Sequence, residues 1–401
     1  MLGVLNHVFS SMNALNSSKS KYYSATILVF SAYLYALLSD PFIFLFFLPF
    51  GLRILVLVVP LFFVFYSYVI KGRWDYKVLI FAYFGIVLAY CFKNLDVSGT
   101  IVKNTAQFAF LLSLFLYSRQ HLMNRKFLVT WLWLWSYIGA CIPISFLIFH
   151  LDIFSFNPTP LSENPGDADY YYSHIPLIGN FVNYSFLGIK VPKSSWYAFE
   201  PGMIAYFFGF NVLLSTYLDE PGNARNGVGF FKYSNLLGGL FTFSSTFILF
   251  LLFYLSYMFF VKSKSVLVKG FLLLSGVGIV VSFVAFVISS GFLEASSFGD
   301  RSVRIGNGVE MLSRSDIYSL LFGNGLGSSV EIYGSGLSSG LLSLIVEQGL
   351  IVFFFTMVVV FSLLRGKFDL FAYFSFYLVT FNPVYYPMTA IGLIIAFNCK
   401  K

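Results

Sequence analysis

The stretch Y-S-N-L-L-G-G-L-F-T-F-S-S-T-F-I-L-F-L-L-F-Y-L-S-Y-M-F-F-V occupies residues 233–261, between Lys232 and Lys262, and contains no charged side chain. As an α-helix, these 29 residues would be about 44 Å long at 1.5 Å per residue. That exceeds one crossing of a hydrocarbon core about 30 Å thick and falls short of two full crossings. We therefore predict a helical hairpin that turns near residues 244–246 (Ser-Ser-Thr), whose hydroxyl groups can satisfy backbone groups freed by the bend.

The composition of the whole chain is that of a membrane protein. Of the 401 residues, 58% are hydrophobic and only 10% are charged, too few to cover the surface of a soluble protein of this size. Apolar segments fall at about 22–39, 42–70, 78–92, 105–118, 127–150, 201–218, 228–261, 270–289, 337–363, 369–382 and 385–397. We predict an all-α polytopic membrane protein with about 11–12 transmembrane helices.

Basic residues set the predicted orientation of these helices. With the N-terminus in the cytoplasm, the cytoplasmic linkers hold 17 Lys and Arg residues and 4 acidic residues, and the outside linkers hold 7 and 12. The net charge of +8 is therefore explained by membrane orientation, which argues against nucleic-acid binding. Both termini are predicted to be cytoplasmic.

Two predicted outside linkers, 151–200 and 290–336, are much longer than helix connections need to be, and we expect the chemistry there. The chain then divides into N-terminal helices (1–150), a first large loop (151–200), central helices with the hairpin (201–289), a second large loop (290–336) and C-terminal helices (337–401). The three cysteines, Cys91, Cys141 and Cys399, have neither metal-ligand nor disulfide spacing, and no metal site is predicted.

The stretch K-S-S-W-Y-A-F-E-P-G-M (193–203) joins the first loop to an apolar helix. Pro201 suits the first helical position, and Glu200 complements the positive end of the helix dipole. The aromatic residues fit an interfacial belt: Trp196, Tyr197 and Phe199. Lys193 is not explained in this way, and a cation near helix N-termini on the outer side would suit a diphosphate headgroup.

Other residues of the first loop leave two interpretations open. The segment D-A-D-Y-Y-Y (167–172) fits a solvated acidic face, and its aromatic rings would also suit stacking on sugars. His174 fits either a structural or a catalytic role.

The second loop contains the arginines of the outside linkers, in the stretch F-G-D-R-S-V-R-I-G-N-G-V-E-M-L-S-R-S-D (298–316). These are Arg301, Arg304 and Arg314. The spacing from Arg304 to Arg314 predicts an amphipathic helix at the membrane interface, with apolar residues toward lipid or core: Val309, Leu312, Ile317 and Leu320. Arginine favours bidentate phosphate contacts. The alternative is salt bridges to nearby acids: Asp300, Glu310 or Asp316.

The stretch L-F-G-N-G-L-G-S-S (321–329) predicts a tight turn leading into the helix at 337. No strand precedes it and no Walker lysine follows, which excludes a nucleotide-binding loop. Glu347 lies about ten residues into that helix, where an ionisable group is disfavoured by about 2.5–3.5 kcal/mol and should face a polar cavity or partner. Both a functional role and structural pairing remain open for Glu347.

These motifs resemble the bacterial O-antigen polymerase family, within the O-antigen ligase and polymerase superfamily. K-S-S-W-Y-A-F-E-P-G is similar to the family's Arg-x-x-Gly-x-x-x-Glu-Pro, with Lys193 for the arginine, Trp196 for the glycine, and Glu200 and Pro201 matching. L-F-T-F-S-S-T-F resembles its Ser/Thr bend. R-I-G-N-G-V-E-M-L, L-F-G-N-G-L-G and L-I-V-E-Q-G-L-I resemble the run that closes its second periplasmic loop. The motifs cover residues 190–365.

The resemblance implies a membrane glycosyltransferase of GT-C type that joins oligosaccharide repeats carried on undecaprenyl diphosphate. The reaction would occur on the periplasmic face of the bacterial inner membrane and would need no cofactor. Its partners would be lipid-linked donor and acceptor, membrane lipids and a chain-length regulator protein. The implied substrate-binding residues are Lys193, Arg301, Arg304, Arg314 and Glu347. A carboxylate, Glu200 or else Glu331, would accept the acceptor's proton.

The polymerase has two rival functions, a ligase of the same superfamily and a flippase. A ligase of this superfamily carries a catalytic His-Asn at the start of the helix after Gly-x-Gly, whereas residues 335–339 here are S-G-L-S-S. A flippase for the same lipid-linked repeats would have short loops and charges within its bundle. The two large loops, with only Arg53 and Glu347 inside apolar segments, favour the polymerase.

Overall fold

The computed structural model describes residues 125–151, 153, 157–158, 169–172, 179–186, 189–196, 198, 201–218, 225–262, 265, 297–325, 327–334, 336–337, 339–380 and 383–399. Within these ranges the protein is mostly helical, as predicted. The helices are α1 (Arg125–His150), α2 (Pro201–Ser215), α3 (Arg225–Phe241), α4 (Ser245–Lys262), α5 (Ser297–Arg314), α6 (Ile317–Phe322), α7 (Ser328–Tyr333), α8 (Gly340–Leu363), α9 (Phe368–Thr380) and α10 (Pro387–Asn398). The apolar segments predicted before residue 125 and at 270–289 lie outside the described residues, as does Arg53.

The first large loop contains a β-sheet, and the all-α prediction is wrong there. Its strands pair antiparallel in chain order: β1 (Asn157–Pro158), β2 (Asp169–Tyr172), β3 (Asn180–Phe186) and β4 (Ile189–Trp196). The residues at 183–186, N-Y-S-F, alternate polar and apolar side chains, which is the period of a strand. Pro192 is tolerated because β4 is an edge strand. The acidic, tyrosine-rich segment contributes β2 to this sheet.

Helices α1, α2 and α3 pack closely together. The ring of Trp135 on α1 stacks on Phe207 of α2, with centroids 4.8 Å apart. Helices α1 and α3 approach each other at two glycines: a Cβ added to Gly238 would lie 2.6 Å from the Cα of Gly139. Small residues that allow such backbone contact are typical of helix packing in membranes.

Helices α3 and α4 are separated by a turn at residues 242–244, which begins two residues before the predicted bend at 244–246 and shares Ser244 with it. The hydroxyl of Thr242 donates to the carbonyl of Gly239 at 2.6 Å and accepts the N–H of Ser244 at 3.3 Å. The side chain thus satisfies backbone groups at the end of α3, as hydroxyls at a bend can.

A cluster of buried tyrosines joins α2 to α9. The rings of Tyr206 and Tyr373 are stacked with centroids 5.7 Å apart, and the Tyr373 hydroxyl donates to the carbonyl of Tyr206 at 2.8 Å. Tyr377 packs against both rings. Burial of these large side chains is a major part of the contact between the two helices.

Two of the described helices are long and apolar enough to cross a membrane. They are Leu128–His150, which is most of α1, and Gly340–Leu363, which is α8. Shorter apolar stretches occur in α2, α9 and α10. These lengths and compositions agree with membrane association of the chain.

Candidate functional site

Lys193 lies on β4, opposite Val182 of β3, and is half-buried. Strand β4 packs against α2 and α1. Pro201 is the first residue of α2, the position predicted for it, and Glu200 immediately before it lies outside the described residues. Lys193 therefore lies on the strand that packs against the apolar helix α2.

Trp196 is buried within the protein instead of forming part of an interfacial belt, which corrects that interpretation. It is 8% exposed, and the Cα of Trp196 lies against Gly179, where an added Cβ would be 2.7 Å away. Its φ of 48° lies in the left-handed region, which is uncommon for a bulky residue. Strained backbone of this kind clusters at functional positions.

The conformation of Trp196 follows from an irregularity in the pairing of β3 and β4. Phe181 pairs with Ser194 and Asn180 pairs with Trp196, so Ser195 is an extra residue, as in a β-bulge. The hydroxyls of Ser194 and Ser195 are buried, and neither makes a hydrogen bond within the described structure. The bulge could not be predicted because three consecutive polar residues, K-S-S at 193–195, do not show which one is extra.

Helix α5 contains the whole interval from Arg304 to Arg314 that we predicted to be helical. Its buried face carries Gly308 and Met311, and a Cβ added to Gly308 would lie 3.1 Å from Leu342 of α8. Arg304 is four residues before Gly308, so it shares this face and is partly buried.

The remaining cations and apolar residues of α5 have different surroundings. Arg301 is three residues before Arg304, which places it on the same side of the helix, although its side chain is not among those described. Arg314 is exposed and forms an ion pair with Glu310 one turn earlier, as in the salt-bridge alternative. Of the predicted apolar residues, Val309 and Ile317 are exposed.

Helix α8 is interrupted at Gly349, whose φ of 83° and ψ of 165° are not helical. The interruption leaves the carbonyls of Val346 and Glu347 without the regular partners of an unbroken helix. The glycine-rich turn after α6 supplies the missing donors. The N–H of Asn324 donates to the carbonyl of Val346 at 2.9 Å, and the N–H of Gly325 donates to the carbonyl of Glu347 at 3.1 Å.

Two glycines bring these backbones together. A Cβ added to Gly323 would lie 2.3 Å from the carbonyl oxygen of Glu347, and one added to Gly349 would lie 2.3 Å from that of Leu321. Both residues have positive φ, which glycine adopts without steric cost. We name this contact between residues 323–325 and residues 346–349 the glycine clasp.

The carboxylate of Glu347 is buried beside the glycine clasp and accepts hydrogen bonds from its surroundings. The hydroxyl of Ser329 donates to Oε1 at 2.5 Å, and that of Ser343 donates to Oε2 at 3.4 Å. The backbone N–H groups of Gly327 and Ser329 also contribute. These contacts are the structural pairing that sequence analysis left open for Glu347.

Helix α7 follows the turn and carries Glu331 and Tyr333. Glu331 is exposed. The hydroxyl of Tyr333 donates to Oε2 of Glu310 on α5 at 3.2 Å. Ser329 and Tyr333 were not predicted as site residues. The sequence signal available for them was their spacing of four residues, which places two side chains on one face of a helix.

The described part of the chain contains no group of three or more His, Cys, Asp and Glu side chains that could hold a metal ion. Two cations lie on ordered elements of the predicted loops. Lys193 is on strand β4, and Arg304 is on the face of α5 that packs near the beginning of α8. Such groups could bind an anionic headgroup.

No protein-family model matches the chain, and no curated protein and no solved structure matches it either. The site is therefore interpreted from its own residues.

Proposed function

We propose that this protein is a polytopic membrane glycosyltransferase of the O-antigen polymerase type. It joins oligosaccharide repeats carried on polyprenyl diphosphate at the periplasmic face of a bacterial inner membrane. The observation that carries the proposal is the placement of Arg304: a partly buried cation on a helix packed beside the first turns of α8, a helix long enough to cross a membrane. A diphosphate headgroup at the interface would meet a cation there.

The relative directions of the helices support the proposed orientation. On the predicted outer side, the first turn of α2 lies near the α3–α4 turn, because a Cβ on Gly202 would be 3.7 Å from the hydroxyl of Ser244. The end of α1 also reaches the sheet there, with the rings of Phe149 and Phe181 stacked 4.4 Å apart.

The opposite ends of these helices meet at the predicted cytoplasmic side. The hydroxyl of Tyr217, just beyond α2, donates to the carboxylate of Asp369 at the start of α9. The ammonium group of Lys367 lies 5.8 Å from the centre of the Tyr217 ring. Since the linkers 219–232 and 365–369 were both assigned to the cytoplasm from their basic residues, this contact supports the assignment.

In the proposed reaction, a hydroxyl oxygen of the acceptor repeat forms a bond to the anomeric carbon of the donor glycan. The bond from that carbon to the diphosphate oxygen breaks, and polyprenyl diphosphate leaves with the electron pair. Lys193, Arg301 and Arg304 stabilise the charge that develops on it. The hydroxyl proton passes to a carboxylate, for which Glu200 is the first candidate and exposed Glu331 the second.

The test is an assay of the purified protein with lipid-diphosphate repeats and no nucleotide sugar. We expect polymer from the wild-type chain, and a loss of about two to three decades in rate from Arg304→Gln, the usual effect of removing one transition-state donor. Arg365→Gln is the matched control, because Arg365 is an exposed arginine at the α8–α9 turn and should leave the rate unchanged. An unchanged rate in Arg304→Gln at normal protein level would contradict the role.

A deletion strain tests the reaction class in the cell. A strain without the polymerase still displays lipopolysaccharide core with a single repeat, whereas a strain without the flippase displays no repeat. Core without any repeat in the deletion strain would favour the transporter and refute the proposal.

A further inference from the structure

Helix α7 lies between α5 and α8 and has a polar contact at each end. Near its beginning, the Ser329 hydroxyl donates to Glu347 of α8, and at its end the Tyr333 hydroxyl donates to Glu310 of α5. Ser329 and Tyr333 are four residues apart, so they project from one face of the helix. Helix α7 thus bridges the two longer helices.

The contact with α8 is buried and specific to a carboxylate. Glu347 is 8% exposed, and the groups directed at its oxygen atoms are donors: two serine hydroxyls and the N–H groups of Gly327 and Ser329. A glutamine of the same shape would point an amide donor at some of these donors. A buried donor that loses its acceptor costs the full desolvation of that group.

The contact with α5 is part of a chain of polar groups. Tyr333 donates to one oxygen of Glu310, and Arg314 pairs with the other. Loss of contact with water and the charge of Glu310 raise the pKa of Tyr333 above its usual value, so the phenol stays protonated and keeps its donor. The polar connection therefore extends from the carboxylate of Glu347 through α7 to α5.

The position of α5 matters because its buried face holds Arg304. That face approaches α8 at Gly308, where an added Cβ would lie 3.1 Å from Leu342 and 3.4 Å from Leu337. The contact at Gly308 is apolar, and apolar contact is non-directional. The directional hydrogen bonds at the two ends of α7 restrict movement of α5 against α8.

We infer that α7 is a strut that fixes α5 against α8, and that Glu347 and Tyr333 are positioning residues that hold Arg304 in place. The inference rests on the proposed function only for the action of Arg304 on the diphosphate. The strut itself is a property of the fold. Glu347 accordingly acts on the substrate through α7 and Arg304 and makes no direct contact with the sugar.

A physical readout that needs no substrate tests the strut. The three native cysteines are first replaced by alanine. Gly308→Cys and Leu342→Cys then place two thiols at the α5–α8 contact. The rate at which a short bifunctional thiol reagent cross-links them measures how often the two thiols are in contact. We expect Glu347→Gln and Tyr333→Phe each to reduce the rate of cross-linking by about fivefold, the effect of losing one hydrogen bond. Tyr318→Phe, at an exposed tyrosine of α6, is the control and should leave the rate unchanged.

The polymerisation assay then tests the positioning role. Glu347→Gln and Tyr333→Phe should lower kcat with little change in KM, and neither should lower it further when Arg304→Gln is already present, because both act through Arg304. Unchanged cross-linking in both variants overturns the strut. Reduced cross-linking with unchanged kcat overturns the positioning role, and so does a loss of kcat that adds to that of Arg304→Gln.

The two proposals fail in distinguishable ways. If the wild-type chain makes no polymer, the proposed function fails while the cross-linking rates still decide the strut. Tyr333→Phe removes one oxygen atom from a partly exposed side chain, so it is expected to fold even if Glu347→Gln does not.

Discussion

The glycine clasp leads to a stability prediction that separates two costs of adding a single methyl group. Gly349 and Gly366 both have positive φ, at 83° and 79°. A Cβ added at Gly349 would lie 2.3 Å from the carbonyl oxygen of Leu321 and 2.6 Å from the amide nitrogen of Gly323. A Cβ added at Gly366, in the turn after α8, would have no atom within 4 Å. Alanine at each position therefore compares backbone strain with and without a steric clash.

The expected magnitudes differ by several-fold. At Gly366 the cost is mainly the left-handed backbone, about 1–2 kcal/mol for a residue with a Cβ. At Gly349 the ψ of 165° places the residue in a region that is essentially restricted to glycine, at about 1–3 kcal/mol. Separation of the two backbones to relieve the clash costs about 1–3 kcal/mol more and stretches the hydrogen bonds to Val346 and Glu347. We expect about 2–6 kcal/mol in total at Gly349.

The assay is thermal unfolding of the purified protein in detergent, followed by the loss of the monodisperse peak in size-exclusion chromatography. Gly366→Ala should unfold within a few degrees of the wild type, and Gly349→Ala should unfold far below it or fail to accumulate. If the two variants unfold at the same temperature, the glycine clasp does not exist as described, and the placement of Glu347 beside the turn is wrong.

Two further substitutions test the bundle and the first loop. Gly238→Ala should destabilise the protein by about 1–3 kcal/mol through overpacking against Gly139. Gly229→Ala on the same helix, where the nearest atom to the added Cβ would be 3.8 Å away, should be tolerated. Equal Tm values for the two variants would contradict the close α1–α3 contact. Lys193→Arg should keep polymerisation and Lys193→Glu should abolish it, as seen in the lipopolysaccharide ladder. A normal ladder from Lys193→Glu would move the anion site away from β4.

The confirmed predictions are those that rest on a local rule of chain geometry. The helical interval from Arg304 to Arg314 followed from spacing alone, and Pro201 begins α2 because its missing N–H costs nothing at the first position. The turn between α3 and α4 overlaps the predicted stretch at Ser244. Thr242, whose hydroxyl makes the hydrogen bonds of the turn, lies two residues before that stretch.

The features that were missed depend on contacts between distant parts of the chain. The sheet in the first loop consists of short strands, and its bulge at Ser195 is a matter of pairing register. Apart from Ser343, one helical turn earlier on α8, the partners of Glu347 come from a segment some twenty residues earlier, which no helical or strand period brings close. The sequence E-Q-G at 347–349 did carry a signal, since a glycine inside an apolar helix lowers helix propensity and marks a place where the helix can break.

The interruption at Gly349 divides a membrane-length helix into two mechanical parts. A helix that is continuous transmits tilt along its whole length, so a thicker or thinner bilayer would reorient both of its ends. Here the first piece, Gly340–Gln348, is hydrogen-bonded to the turn at residues 323–325, whereas no described hydrogen bond joins the piece beyond Gly349 to that turn. If α8 crosses a bilayer, adjustment to bilayer thickness would be absorbed beyond the break, and we expect the geometry around Arg304 to be insensitive to lipid acyl-chain length.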